Sequence, residues 1–143
     1  PIGVAICYDA EFPEVTRHLV DQGARILFVP ACTDSRQAFM RVRHCAAARA
    51  VENQCFVAVA GTVGNLDGVG NLDAHYAQGC VLTPCDVMFP PDGVALELEP
   101  NCETTAVVDL QLSALWTGRN AGAVQQLRDR RFDLYSVRWR ADA

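Results

Sequence analysis

Three short, uninterrupted apolar runs constrain this chain more than any other feature. Residues 2–6 read Ile-Gly-Val-Ala-Ile, residues 26–29 Ile-Leu-Phe-Val, and residues 56–60 Phe-Val-Ala-Val-Ala. Each has strand length and none alternates with polar positions, the pattern of strands covered on both faces. Helical signals separate them. Pro13 suits the first turn of a helix, where its missing N–H costs nothing. Phe12, Val15 and Leu19 then fall on one helical face, and Gly23 marks the stop. After Pro30 ends the second run, Asp34 or Ser35 can cap a helix over residues 37–53. That helix carries Phe39, Val42, Ala46 and Ala50 at helical spacing, and its alanines permit close packing. The order β-α-β-α-β predicts parallel strands joined by right-handed crossovers.

The remainder is less regular. Residues 61–71 form a Gly/Asn/Asp loop, residues 77–82 read as a fourth strand, and residues 83–92 hold three prolines and read as turns. Val94, Leu96 and Leu98 alternate with polar positions, so that strand has one wet face. Residues 104–110 are expected to form a further strand and residues 111–116 a short helix. The tail from Gly118 is Arg-rich and ends in Tyr135, Val137 and Trp139. No repeat and no linker is visible, and 143 residues suffice for one domain with a core. The fold class is α/β, in layers.

Composition excludes several functions. A net charge of −5 and a pI near 5.0 argue against nucleic acid or an anionic membrane as partner. No apolar run approaches the ~18 residues that span a bilayer, and no signal peptide is visible. Seven cysteines, an odd number without a CxxC pair, fit a reducing cytoplasm better than a disulfide framework. Neither they nor His18, His44 and His75 show zinc-ligand spacing, so no metal is expected. All 12 basic residues are Arg. Any mechanism that needs a lysine must find it outside these residues. The chain opens on Pro1 and enters an apolar run at once, so we read it as the C-terminal piece of a longer polypeptide.

Cys7 stands at the carboxyl end of the first strand, just before a helix. Open α/β sheets build their sites there, and a thiol near a helix N-terminus has a stabilised thiolate. The competing reading is one more buried structural cysteine. The surrounding residues decide between them. Gly3-Val4-Ala5-Ile6-Cys7-Tyr8-Asp9-Ala10-Glu11-Phe12-Pro13-Glu14 closely resembles the nucleophile segment of the carbon–nitrogen hydrolase (nitrilase) superfamily. Gly23-Ala24-Arg25-Ile26-Leu27-Phe28-Val29-Pro30 resembles that family's following strand. Arg49-Ala50-Val51-Glu52-Asn53-Gln54 matches its Arg-Ala-x-Glu-Asn helix end. The resemblance runs at least over residues 2–110. His75-Tyr76-Ala77-Gln78, Glu99-Pro100-Asn101-x-Glu103-Thr104 and Arg128-Asp129-Arg130-Arg131-x-Asp133-Leu134-Tyr135 resemble bacterial members in which an acetyltransferase-like domain precedes the hydrolase domain.

The resemblance implies that residues 1–143 are the C-terminal portion of one hydrolase domain, part of an α-β-β-α sandwich. It implies a Glu–Lys–Cys triad with Cys7 as nucleophile. The Glu, the Lys and an additional active-site Glu lie upstream of the Cys in the family. The implied reaction is hydrolysis of a non-peptide carbon–nitrogen bond, in an amide before a nitrile, through a thioester. It needs no cofactor. The implied partners are the small-molecule substrate and further copies of the chain. The backbone N–H of Tyr8 is the expected oxyanion donor. Cys32, Thr33 and Asp34 follow a strand end and are candidates for the substrate pocket. Asp9 is read as a brace for the loop, Glu11 and Glu14 as structural, and Arg49 with Glu52 as a local ion pair one turn apart. His44 and His75 are read as structural groups, and Arg128, Arg130 and Arg131 as a solvated face or a docking tail. Two alternatives stand beside this reading: a non-catalytic binding or regulatory module on the same scaffold, and an N-terminal catalytic amine at Pro1. These 143 residues alone are expected to show no amidase activity.

Overall fold

A computed structural model describes residues 1–70 and 72–140. Asn71, at the end of the expected Gly/Asn/Asp loop, lies outside the described residues. The three apolar runs form parallel strands β1 (Ile2–Val4), β2 (Ile26–Ala31) and β3 (Phe56–Gly61). Strands β4 (Cys80–Leu82) and β5 (Val94–Glu97) return antiparallel, and the sheet order is β1-β2-β3-β4-β5. Helices α1 (Pro13–Asp21) and α2 (Arg36–Asn53) make the two crossovers, and α3 (Leu112–Ala121) follows the sheet.

Strand register sorts the side chains into two faces, because cross-strand partners point the same way. Gly3, Leu27, Val57 and Leu82 share one row. That row lies on the buried side, beneath α1 and α2, and Leu27, Val57 and Leu82 are buried. Helix α2 meets it with Phe39, Val42, Ala46 and Ala50, the stripe read from the sequence, all fully buried. Burying such a side chain as Phe39 or Val42 is worth roughly 1.5–3 kcal/mol. The stripe's alanines let the helix lie close to the strands. Ser35 is the residue that caps α2, its hydroxyl accepting from the Ala38 N–H at 3.4 Å.

The next row is Val4, Phe28, Ala58, Val81 and Leu96. It faces a broad cavity of about 640 Å³ on the opposite side of the sheet. Here the expectation of strands covered on both faces is corrected. Ile2 is 65% and Val4 52% exposed, and Phe28 is exposed as well. A continuous apolar run reports that both faces of a strand are apolar. It does not report that the same stretch of chain supplies both covers. The described residues provide one helical layer and one sheet.

Three further expectations change. Residues 104–110 form no strand, since a strand needs a ladder partner for its backbone groups. Thr104, Thr105 and Ala106 instead border the open face of the sheet. Phe12 does not belong to the buried face of α1. It occupies the N-cap, exposed, with its ring edge-on to Tyr8 at 4.9 Å, while Thr16 and Val20 fill the core. The short helix expected over residues 111–116 extends to Ala121.

Gln54 ends α2 in the left-handed region, at φ 44°. Its side-chain amide donates to the Gly118 carbonyl at 3.2 Å and accepts from the Leu127 N–H at 3.4 Å. Arg119 of α3 donates back to the Gln54 carbonyl at 3.0 Å. These bonds tie the C-terminal segment to the end of α2. Farther on, Arg130 reaches Asp21 of α1 at 3.0 Å and stacks over Phe132, so the tail docks on this chain's own helix. Arg128 and Arg131 form local exposed pairs with Asp129 and Asp133.

Candidate active site

The site begins where β1 ends. Cys7 opens a 3₁₀ turn, Cys7–Glu11, with its backbone at φ 46°. An L-residue in this region costs about 1–2 kcal/mol, and such strain persists only where the surroundings over-determine it. Asp9 supplies part of that constraint, as the sequence reading expected. Its carboxylate accepts from the Ile6 N–H at 3.1 Å, and its own N–H donates to the Ile6 carbonyl at 2.9 Å. The first N–H groups of a helical turn have no partner within it. Tyr8 is second in the turn, directly after Cys7.

The carboxyl end of β2 lies alongside. The Cys7 thiol donates to the Cys32 carbonyl at 3.8 Å. Cys7, Tyr8, Cys32, Thr33 and Asp34 line one cleft of about 370 Å³, so the structure brings all five sequence-predicted residues together. Their side chains are not equally available. Thr33 is buried, and its hydroxyl donates to the Tyr76 carbonyl at 2.6 Å, while the Tyr76 N–H donates to the Thr33 carbonyl at 2.8 Å. Thr33 thus holds the cleft wall in place. Asp34 is exposed and accepts from the Ser35 hydroxyl at 3.0 Å. Cys32 is exposed.

Two residues at this site, Arg41 and Asp73, were not read from the sequence. Glu11 accepts from the Arg41 Nε with both carboxylate oxygens, at 2.9 and 3.1 Å, on the rim of the cleft. Asp73 joins the lining from the Gly/Asn/Asp loop region. The Glu11–Arg41 pairing follows no helical or strand period, so no local spacing signalled it. Glu11 is engaged by Arg41, which agrees with its structural reading. His75 holds the Gly64 carbonyl through Nδ1 at 2.6 Å. The Arg49–Glu52 ion pair is present at 2.6 Å, yet Arg49 also reaches beyond its own helix to the 3₁₀ turn.

The cysteines differ in their surroundings. Burial pushes the Cys55 thiol up to about 12 and the Cys80 thiol up to about 11, so both keep their protons at neutral pH. Cys32, Cys85 and Cys102 are exposed. No helix among the described residues is long and apolar enough to cross a membrane.

A cysteine in the left-handed region at the carboxyl end of a parallel strand, lining a cleft, is an arrangement compatible with nucleophilic chemistry. The chain belongs to the Carbon-nitrogen hydrolase family, whose pattern matches residues 1–117. It is 46% identical to the probable hydrolase YhcX of Bacillus subtilis, over 97% of this chain and 27% of that protein. Among solved structures, it resembles the C. elegans NitFhit protein with TM-score 0.71 and 27% identity, over 94% of this chain and 30% of the other. It also resembles an amidase from Nesterenkonia, in a structure showing Michael addition of acrylamide at the active-site cysteine. That match has TM-score 0.58 and 27% identity, over 92% of this chain and 42% of the other. The chain thus spans about a quarter of its curated relative and less than half of these structures.

Proposed function

We propose that Cys7 is the nucleophile for hydrolysis of a small, non-peptide amide in the natural polypeptide that contains these residues. The observation that carries this reading is the Cys7 backbone at φ 46°, with Cys7 and Tyr8 both lining the cleft. The resemblance of the fold to an amidase with an active-site cysteine supports it. The Cys7 thiol gives its proton to the general base as the sulfur attacks the amide carbon, and the carbonyl π electrons move to oxygen. The Tyr8 N–H stabilises that oxyanion. Collapse expels ammonia or an amine, which takes up a proton, and leaves a thioester on Cys7. Water then attacks the thioester, releasing the acid and restoring the thiol.

The general base and the cation of the implied triad come from outside these 143 residues. The chain contains no lysine, and the guanidinium of Arg differs in shape and hydration from an ammonium. These residues alone are therefore expected to give no turnover. The resemblance to members carrying an acetyltransferase-like domain is consistent with a relative of which this chain covers only 27%.

The test is Cys7→Ala and Cys7→Ser in the natural polypeptide, with ammonia release measured over a panel of short amides and nitriles. Both variants should fall to background, because a weakly acidic hydroxyl does not replace a thiolate. Wild-type turnover by Cys7→Ala overturns the proposal and leaves the non-catalytic module as the better reading.

A further inference from the structure

We propose that Arg49 is a positioning residue for the Cys7 turn, oriented for that task by Glu52. This rests on the nucleophile reading above and extends it to the group that holds the nucleophile in place. Arg49 lies near the end of α2 and is only 6% exposed. Its Nε donates to the Ala10 carbonyl at 3.0 Å and its Nη2 to the Glu11 carbonyl at 3.1 Å. Ala10 and Glu11 are the last two residues of the turn that Cys7 begins. Carbonyls at the end of a helical turn have no donor within it. A planar guanidinium fork is suited to supply two at once. Ala10 is buried, so water cannot easily take its place.

The far edge of the guanidinium is fixed as well. Nη1 donates to the Glu52 carboxylate at 2.6 Å, and the same oxygen accepts from the Asn53 amide at 3.3 Å. The Asn53 amide also donates to the Arg49 carbonyl at 2.9 Å. The Arg-x-x-Glu-Asn pattern therefore builds a rigid arm aimed out of the helix. At its other end the turn is held by Asp9 on Ile6. Between these two anchors sits the strained Cys7. Releasing the Arg49 anchor lets the turn relax toward negative φ and carries both the thiol and the Tyr8 N–H away from their places. A misplacement of about 1 Å at a reacting group costs on the order of 10²-fold in rate.

The experiment uses the natural polypeptide with Arg49→Met, Arg49→Lys and Glu52→Gln. Leu115→Ala, in buried α3 packing away from the turn, serves as a destabilised control. Two quantities are measured well below the lowest Tm: kcat and KM on an amide the wild type hydrolyses, and the rate constant for iodoacetamide alkylation of Cys7, followed by mass spectrometry. Arg49→Met should lower kcat on the order of 10²-fold with KM nearly unchanged, and should slow Cys7 alkylation about tenfold, the smaller share of the same displacement loss. Arg49→Lys should recover part of both, and Leu115→Ala should change neither. If Arg49→Met matches the Leu115→Ala control in kcat and alkylation, Arg49 is merely structural and the proposal fails. If Arg49→Met does not fold, Arg49→Lys and Glu52→Gln decide: slowed alkylation supports the proposal and parity with the control overturns it. Retained hydrolysis by Cys7→Ala would defeat the nucleophile reading instead, and the alkylation rates would still decide whether Arg49 holds Cys7.

Discussion

Gly61→Ala probes the contact between the end of β3 and the wall of the cleft. Gly61 closes β3 in register with Ala31. A methyl group placed on it would overlap the Ala77 methyl. Carbon atoms in contact normally sit about 3.5–4.0 Å apart, so the chain around Ala77 must retreat by roughly 1 Å. Such overpacking costs about 1–3 kcal/mol. The retreat also pulls on Tyr76, which exchanges two hydrogen bonds with Thr33, at 2.6 and 2.8 Å. Each is worth about 1 kcal/mol net, so a loss near 3 kcal/mol is expected. For 143 residues alone that is roughly 6–12 °C in Tm, and the shift is smaller in a larger natural domain. The assay is a thermal melt of the natural polypeptide carrying Gly61→Ala, Ala77→Gly or both. Removing the Ala77 methyl should make room, so the double variant should melt above Gly61→Ala alone. Strict additivity of the two single effects would refute the steric argument, since sites in contact are expected to couple.

Two further predictions concern the cysteines. Under native conditions iodoacetamide should label Cys32, Cys85 and Cys102, and the half-exposed Cys7, well before Cys55 and Cys80, as read by peptide mass spectrometry; early labelling of Cys55 would contradict its burial. Alkaline pH should destabilise the fold. The Cys55 and Cys80 thiols ionise in the unfolded chain near their ordinary value of 9.0, but only near 12 and 11 when folded. The folded state therefore binds more protons between these limits. Stability is complete below about pH 9 and falls as pH rises toward 11–12, by up to ~1.4 kcal/mol per pH unit for each thiol. Cys55→Ala should flatten this limb, and a Tm equally pH-dependent in wild type and variant would refute the linkage.

Much of this architecture is legible in the residues because each signal is local. Pro13 and Gly23 bracket α1, Ser35 opens α2, and the stripe from Phe39 to Ala50 shows which face α2 buries. Cys7 is legible as a site residue for the same reason, since strand, cysteine and turn are contiguous. What escapes is whatever depends on partners far along the chain. Ile2 and Val4 are as apolar as a doubly covered strand requires, but their outer cover is not determined by their own identity. Residues 104–110 carry strand-like composition without the ladder that would make it a strand. Arg49 and Glu52 satisfy a helical spacing, and that agreement conceals the bonds from Arg49 to Ala10 and Glu11. A local explanation that is sufficient by itself hides a second, distant one.

The order of the sheet bears on how the chain comes together. Each of the strands β2 to β5 lies beside the strand synthesised immediately before it. A chain emerging from the ribosome can therefore add strands one after another to a growing edge, without inserting any between two already paired. Loop closures of this kind are short, which favours rapid assembly. The same order makes the row from Val4 through Phe28, Ala58 and Val81 to Leu96 grow by one apolar residue per strand, each time on the uncovered side. Among the described residues no second layer covers that surface, so its cover must come from elsewhere. While it stays uncovered, an apolar sheet face of this kind is where misassociation competes with folding.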